Sequence, residues 1–209
     1  MQIVVLANEE LKKELTANGV QPGLELVWIN SIHESLSYPK AAALVDLLFE
    51  KEEERMNLLE QNKAPVIINS VEHTLKETNP SFIRINGWNT LLKSTSIEGA
   101  ADDRMKQIAS NVFATLNKKT EWLSDEPGFV TPRVISAIIN EAFIALEQGV
   151  SSIEEINTAM KLGTNYPYGP FEWSEKIGLK KIASLLKKLS DSQTRYSPCP
   201  LLVQQAGQL

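Results

Sequence analysis

Apolar positions follow two different rhythms along this chain. In the first part they come as short unbroken runs. These are IVVLA within Gln2–Ala7, LELVWI within Gly23–Ile29, AALVDLLF over Ala42–Phe49, PVIINS over Pro65–Ser70 and FIRI over Phe82–Ile85. Short runs rich in β-branched residues and bounded by turn residues predict buried strands. Between them, Asn8–Asn18 predicts a helix with Leu11 and Leu15 inward, closed by Gly19, and Glu50–Asn62 a charged helix carrying Met56, Leu58 and Leu59. Ser31–Lys40, with Pro39 inside it, reads as irregular, and Thr78-Asn79-Pro80 as a turn. A further helix is expected around Ala100–Leu116, with Glu121–Gly128 as a link. Strands alternating with helices imply a parallel sheet with helices on its faces.

At Gly128 the period changes. Thr131 can cap a helix and Pro132 suits a first helical turn, where its missing N–H loses nothing. Val134, Ile135, Ile138, Ile139, Ala142, Phe143 and Leu146 then recur at helical spacing, and Gly149 can end the helix in a left-handed conformation. Ser152–Glu155 has the form of a capping box, with Ile153, Ile156 and Met160 on the apolar face and Gly163 as the stop. Tyr166–Phe171 is a rigid aromatic turn, and Pro170 can begin a third helix. The expected organisation is therefore an α/β domain over residues 1–121 and an all-α domain over residues 122–209. The long helix from Val134 to Leu146 has apolar positions on more than one face, which predicts a two-fold homodimer.

Composition adds limits. The 209 residues suffice for one large or two small domains, and 43% apolar with 22% charged residues is ordinary for a globular protein. A net charge of −5 argues against nucleic acid or an anionic membrane as partner. The single cysteine, Cys199, excludes an intramolecular disulfide, and its place between prolines reads as a turn thiol. No apolar run has the length of a membrane helix, the amino end is too short and acidic for a signal peptide, and the expected location is the cytoplasm. No metal-ligand pattern stands out.

The punctuation of the second part resembles a known family. Gly128-Phe129, Arg133, Asn140-Glu141-Ala142, Gly149, Met160, Gly163, Pro167, Gly169-Pro170-Phe171 and Gly178 resemble the C-terminal domain of 3-hydroxyacyl-CoA dehydrogenases, most closely the short-chain 3-hydroxybutyryl-CoA type. Arg195-Tyr196, Pro198 and Pro200-Leu201-Leu202 resemble that family's closing motif. The resemblance implies a Rossmann-like domain before the helical one. It also implies NAD as cofactor, an acyl-CoA thioester as ligand, dimerisation through the helical domain, and oxidation of a 3-hydroxyacyl-CoA to the 3-oxoacyl form in fatty-acid metabolism.

Carried onto the first part, the resemblance marks a candidate site. The family's histidine, which takes the hydroxyl proton, falls at Asn86, and the glutamate that orients it falls at Glu98. Asn89 matches a following asparagine, Ser70 lies near a substrate-contacting serine, and Glu50 with Arg55 has the spacing of an acid–base pair at the cofactor. Three departures bear on activity. The first strand runs into Ala7-Asn8-Glu9-Glu10 with no glycine, where a pyrophosphate needs close backbone approach at a helix amino end. The second strand ends at Asn30 instead of a ribose-binding acid, and the stretch to the next run is short, so the Rossmann-like domain reads as reduced. An amide at residue 86 cannot take a proton, whereas an imidazole titrates near neutral pH. His73 is the candidate replacement base, and His33 reads as a surface residue. Two functions are thus open: a dehydrogenase with impaired catalysis and cofactor binding, or a non-catalytic dimeric scaffold or acyl-CoA-binding protein.

Overall fold

The computed structural model describes residues 1–208, which divide into two units, Met1–Phe129 and a second that begins at Val130. The first unit is built on a seven-stranded sheet: β1 (Gln2–Leu6), β2 (Glu25–Ile29), β3 (Ala43–Asp46), β4 (Val66–Asn69), β5 (Ile83–Ile85), β6 (Ser96–Ala100) and β7 (Lys119–Trp122). Their order is β2-β1-β3-β4-β5-β6-β7. All neighbours are parallel except β5 and β6, so the last two strands run opposite to the other five. The helices are α1 (Glu9–Leu15), α2 (Glu53–Glu60) and α3 (Asp103–Ala114).

The sheet is buried on both faces. Ile3, Val5, Val45, Ile67, Ile83 and Ile85 pack with Leu11 and Leu15 of α1 and Val112 and Phe113 of α3. Val4, Leu6, Leu44 and Ile68 pack on the other face with Leu59 of α2. This is why the strands read as continuous apolar runs instead of alternating ones. A dinucleotide-binding sheet of the 3-2-1-4-5-6 kind has a third strand beyond its second. Here β2 is the edge, and the chain crosses from it directly to β3. The unit is a reduced Rossmann-like domain.

Three expectations for this unit need correction. Ser31–Lys40 is not irregular throughout: Ile32–Ser37 forms 3-10 turns, started by Ser31, whose hydroxyl accepts the His33 N–H while the Glu34 carboxylate accepts the Ser31 N–H. The third run ends as a strand at Asp46, four residues into the apolar stretch, because the Asp46 carboxylate accepts the Leu48 N–H and turns the chain. β6 and β7 stand where no strand was expected, and they carry the first unit past residue 121 to Phe129.

One buried cation lies at the start of β7. Lys118 is 3% exposed, and its Nζ donates to the Leu92 and Ser94 carbonyls at 2.7 and 2.8 Å. Burial lowers its pKa from the ordinary 10.5 to about 8, against the pull of Glu14. Between those two values the unfolded chain holds a proton that the folded chain has released, so stability from this group rises with pH across that window. Below pH 8 both states are protonated and the contribution is flat. We expect the stability of the wild type relative to Lys118→Met to increase between pH 7.5 and 10 in urea titrations. A difference that does not change with pH would contradict it.

The second unit is helical: α4 (Thr131–Glu147), α5 (Ile153–Thr164), α6 (Pro170–Ile177), α7 (Leu179–Ser190) and α8 (Pro200–Gly207). Its core gathers Ile135, Ile139, Phe143, Phe171, Trp173, Ile182, Leu185, Leu186 and Leu202, with the Phe143 and Phe171 rings 4.9 Å apart. Thr131 is the first helical residue and not the cap. Gly149 ends α4 with φ 67° as expected, but Gly163 lies inside α5, and Asn165 takes the left-handed position at φ 57°.

Two amides hold the corners of this unit. Asn140 on α4 donates to the Ser197 carbonyl at 3.0 Å and accepts from the Cys199 N–H at 2.7 Å, which fixes the entry to α8. Asn157 on α5 accepts from the Phe171 N–H at 3.0 Å. A Cβ on Gly169 would stand 2.6 Å from the Asn157 Cα, so only glycine fits that approach. No described helix is long and apolar enough to cross a membrane.

Candidate functional site

In open sheets of this kind ligands bind beyond the carboxyl ends of the strands, beside the point where strand order reverses. Here that point lies between β1 and β3. Asn8, just past β1, caps α1 by accepting the Leu11 N–H at 2.9 Å. The turn holds no glycine, and Glu9 and Glu10 form the first helical turn, Glu9 paired with Lys12 at 2.7 Å. Lys12 also draws the Glu9 carboxyl below its ordinary pKa, so it stays anionic. The helix dipole favours these carboxylates. A dinucleotide pyrophosphate does not fit this turn: a side chain occupies the N–H it would use, and two anions face it. After β2, the Asn30 and Ser31 N–H groups donate to Glu34.

At the end of β3, Arg55 turns to Asp46. Glu50 is exposed. Arg55 is a two-pronged partner of Asp46, with Nε and Nη2 at 2.8 and 2.6 Å from the carboxylate. Asp46 is fully buried; burial raises its pKa, and Arg55 opposes that shift. The sequence held a signal for this pair, a lone acid inside an apolar run and an arginine nine residues on, the reach of a turn and one helical turn.

Asn69, at the end of β4, ties three strand ends together. Its Nδ2 donates to the Leu47 and Gly87 carbonyls at 3.0 and 3.1 Å, and its Oδ1 accepts the Gly87 N–H at 2.9 Å. Ser70 is buried, and its hydroxyl donates to the His73 carbonyl at 2.8 Å. The loop after it is held from below by Arg84 in β5, which is fully buried. Arg84 donates to the Ser70 carbonyl at 3.0 Å, the Val71 carbonyl at 3.0 Å, the Glu126 carbonyl at 3.2 Å and the Asp125 carboxylate at 2.7 Å. Its guanidinium lies 4.2 Å from the centre of the Phe129 ring. Sequence reasoning missed this residue; its signal was a lone cation at the centre of an apolar run.

Asn86 and Glu98 are brought together. β5 and β6 run antiparallel, and the Asn86 N–H donates to the Glu98 carbonyl at 2.9 Å, which sets the two side chains next to each other. Asn86 Nδ2 donates to Glu98 Oε2 at 3.0 Å, and Asn86 Oδ1 accepts the Trp88 N–H at 3.3 Å. Asn86 is 5% exposed, and Asn89 is buried in the turn that follows. The His73 backbone is tied to Ser70 as described, on the loop after β4. The edge therefore presents an amide held by a carboxylate, with Asn69 bracing the neighbouring strands. It can hold and orient a polar group, but this pair has no imidazole to carry a proton.

The chain is thus a Rossmann-like unit followed by a helical unit. Residues 128–207 match the family described as 3-hydroxyacyl-CoA dehydrogenase, C-terminal domain. A 3-hydroxyadipyl-CoA dehydrogenase of Escherichia coli is 46% identical over 86 residues, 40% of this chain and 18% of that protein. A 3-hydroxybutyryl-CoA dehydrogenase of Bradyrhizobium diazoefficiens is 38% identical over 114 residues, 53% of this chain and 39% of that one. A probable 3-hydroxyacyl-CoA dehydrogenase of Caenorhabditis elegans aligns over 91% of this chain and 69% of its own length at 27% identity. The solved (S)-3-hydroxybutyryl-CoA dehydrogenase of Ralstonia eutropha superposes with a TM-score of 0.77 at 16% identity, covering 99% of this chain and 93% of the other, and shares the fold. The C-terminal unit is thus similar in sequence to the C-terminal domain of 3-hydroxyacyl-CoA dehydrogenases. The matched stretches are well under half the length of the first two relatives.

Proposed function

We propose that this chain binds a 3-hydroxyacyl- or 3-oxoacyl-CoA thioester along the carboxyl edge of its sheet, and that it performs the family's oxidation of a 3-hydroxyacyl-CoA with strongly impaired turnover. The observation that carries this reading is the Asn86–Glu98 hydrogen bond at 3.0 Å, which keeps the geometry of an orienting carboxylate and its partner while replacing the partner with a group that cannot accept a proton. Losing a general base costs about 10²- to 10⁴-fold in rate. Ser70 and Asn89 are the proposed substrate contacts. NAD is the cofactor that the family resemblance suggests, but the Asn8-capped turn does not fit it, and Arg55 is engaged with Asp46. The test is calorimetry with acetoacetyl-CoA alongside an NADH-coupled reduction assay. The expected result is thioester binding with turnover at least a hundredfold below that of a family dehydrogenase assayed alongside it. Absence of thioester binding would overturn the proposal. Efficient turnover lost in His73→Ala would favour the second reading, in which His73 serves as the base of an active dehydrogenase.

We further propose a cytoplasmic homodimer formed through the helical unit. α5 contains no buried residue, and Val134, Val150, Ile153 and Leu162 expose 50, 69, 40 and 82% of their surface. So many large apolar side chains on two consecutive helices and the turn between them call for a cover. Light scattering at micromolar concentration should give twice the chain mass, and Leu162→Glu should shift it toward the monomer. A monomeric mass for the wild type would contradict the proposal.

A further inference from the structure

Thr90 has φ 72°, a region that β-branched residues rarely enter. It stands at the third position of a turn closed by the Leu91 N–H, which donates to the Trp88 carbonyl at 3.1 Å. Glycine or asparagine is the usual occupant of a turn position with positive φ. The conformation is held from α1: the Thr90 N–H donates to Glu14 Oε1 at 2.7 Å, a short bond to a half-buried carboxylate. Burial raises the Glu14 pKa, and the bond from the Thr90 backbone is the first of the effects opposing that shift. The rest of the loop has other anchors. Asn18 donates to the Lys93 and Ser94 carbonyls at 3.0 Å each, and Lys118 donates to the Leu92 and Ser94 carbonyls. The service of Glu14 is therefore local to the turn that carries Asn89.

We propose that Glu14 is a positioning residue for the thioester site, holding Asn89 and the Asn86 amide in place through the Thr90 N–H. The inference rests on the reading that an acyl-CoA lies against the Asn86–Glu98 pair with Asn89 as a contact. Asn89 precedes Thr90 directly, so the peptide between them carries the strain of φ 72° into the placement of the Asn89 side chain. Trp88 opens the same turn, and its N–H donates to Asn86 Oδ1 at 3.3 Å, a long bond that a small shift of the turn would break. Without an acceptor for its N–H, a threonine relaxes toward negative φ and takes both contacts with it. Glycine at residue 90 would adopt this backbone unaided. The chain uses threonine instead and makes the turn depend on α1. Backbone strain that a neighbouring element maintains beside a binding edge is the mark of a preorganised site.

The experiment is calorimetric titration of the full chain with acetoacetyl-CoA, with folding checked by melting temperature. Glu14→Leu, which fills the space without an acceptor, should weaken binding by about tenfold. Glu14→Gln keeps an acceptor oxygen and should recover most of that loss. The decisive variant combines Glu14→Leu with Thr90→Gly: affinity should return close to that of the wild type, because glycine no longer needs the carboxylate. A role of Glu14 in stability alone would not be rescued at the thioester site by a glycine at residue 90. If Glu14→Leu does not fold by itself, the double variant still decides, since a folded double variant that binds weakly would overturn the inference. Wild-type affinity in Glu14→Leu would overturn it too and leave the thioester site standing. Failure of the wild type to bind acetoacetyl-CoA would overturn the thioester reading itself and the inference with it.

Discussion

Replacing Arg84 by methionine is expected to destabilise the first unit by about 3–5 kcal/mol, the cost of removing one partner from a buried charged network. The guanidinium is fully buried and is held by one carboxylate and three carbonyls. Methionine fills most of the volume but satisfies none of those acceptors, and each buried acceptor left bare costs about 1–3 kcal/mol. Asp125 keeps some solvent contact, and it also accepts the Leu75 N–H, so part of its penalty is relieved. Lysine should recover less than half of the loss, because an ammonium is a point donor and cannot span the Ser70, Val71 and Asp125 acceptors as the planar fork does. Urea unfolding followed by tryptophan fluorescence measures the change. A loss below about 1 kcal/mol would show that the network is not needed by the fold.

The Asn86→His variant is expected to leave NADH-dependent reduction of acetoacetyl-CoA within about tenfold of the wild type, although a restored base alone is worth about 10²- to 10⁴-fold. Histidine would stand beside Glu98, which can orient it and stabilise its charged form. The reason for the missing gain lies at the far end of the same sheet edge. The turn after β1 has a side chain on the Leu11 N–H and two carboxylates at the helix start, where a pyrophosphate would need bare backbone. A gain of a hundredfold or more would show that the nicotinamide still reaches Asn86. The protein would then be a dehydrogenase lacking one residue.

The helical unit was legible because its signals are single residues with single solutions. Gly169 admits no side chain, Asn140 clips the segment before α8, and Ser152 with Glu155 closes a capping box. Such residues keep their meaning without knowledge of the surrounding packing. Gly163 misled because it sits one residue inside a helix that Asn165 ends. In the sheet unit the first five strands were visible as apolar runs. β6 and β7 were not, since SIEGA and KTEW are short and carry charges on their exposed sides. The Asn86–Glu98 pair came from resemblance; its contact depends on β5 and β6 running antiparallel, which no local pattern encodes. The Asp46–Arg55 pair was not read from the sequence, because spacing drew attention to Glu50, while burial at the end of β3 selects Asp46.

The most direct measurement of the account is titration of the full chain with NADH, following nicotinamide fluorescence, with and without saturating acetoacetyl-CoA. The account predicts no saturable NADH signal in the low micromolar range in either condition, while calorimetry on the same sample registers binding of the thioester. Saturable NADH binding at low micromolar concentration would contradict it.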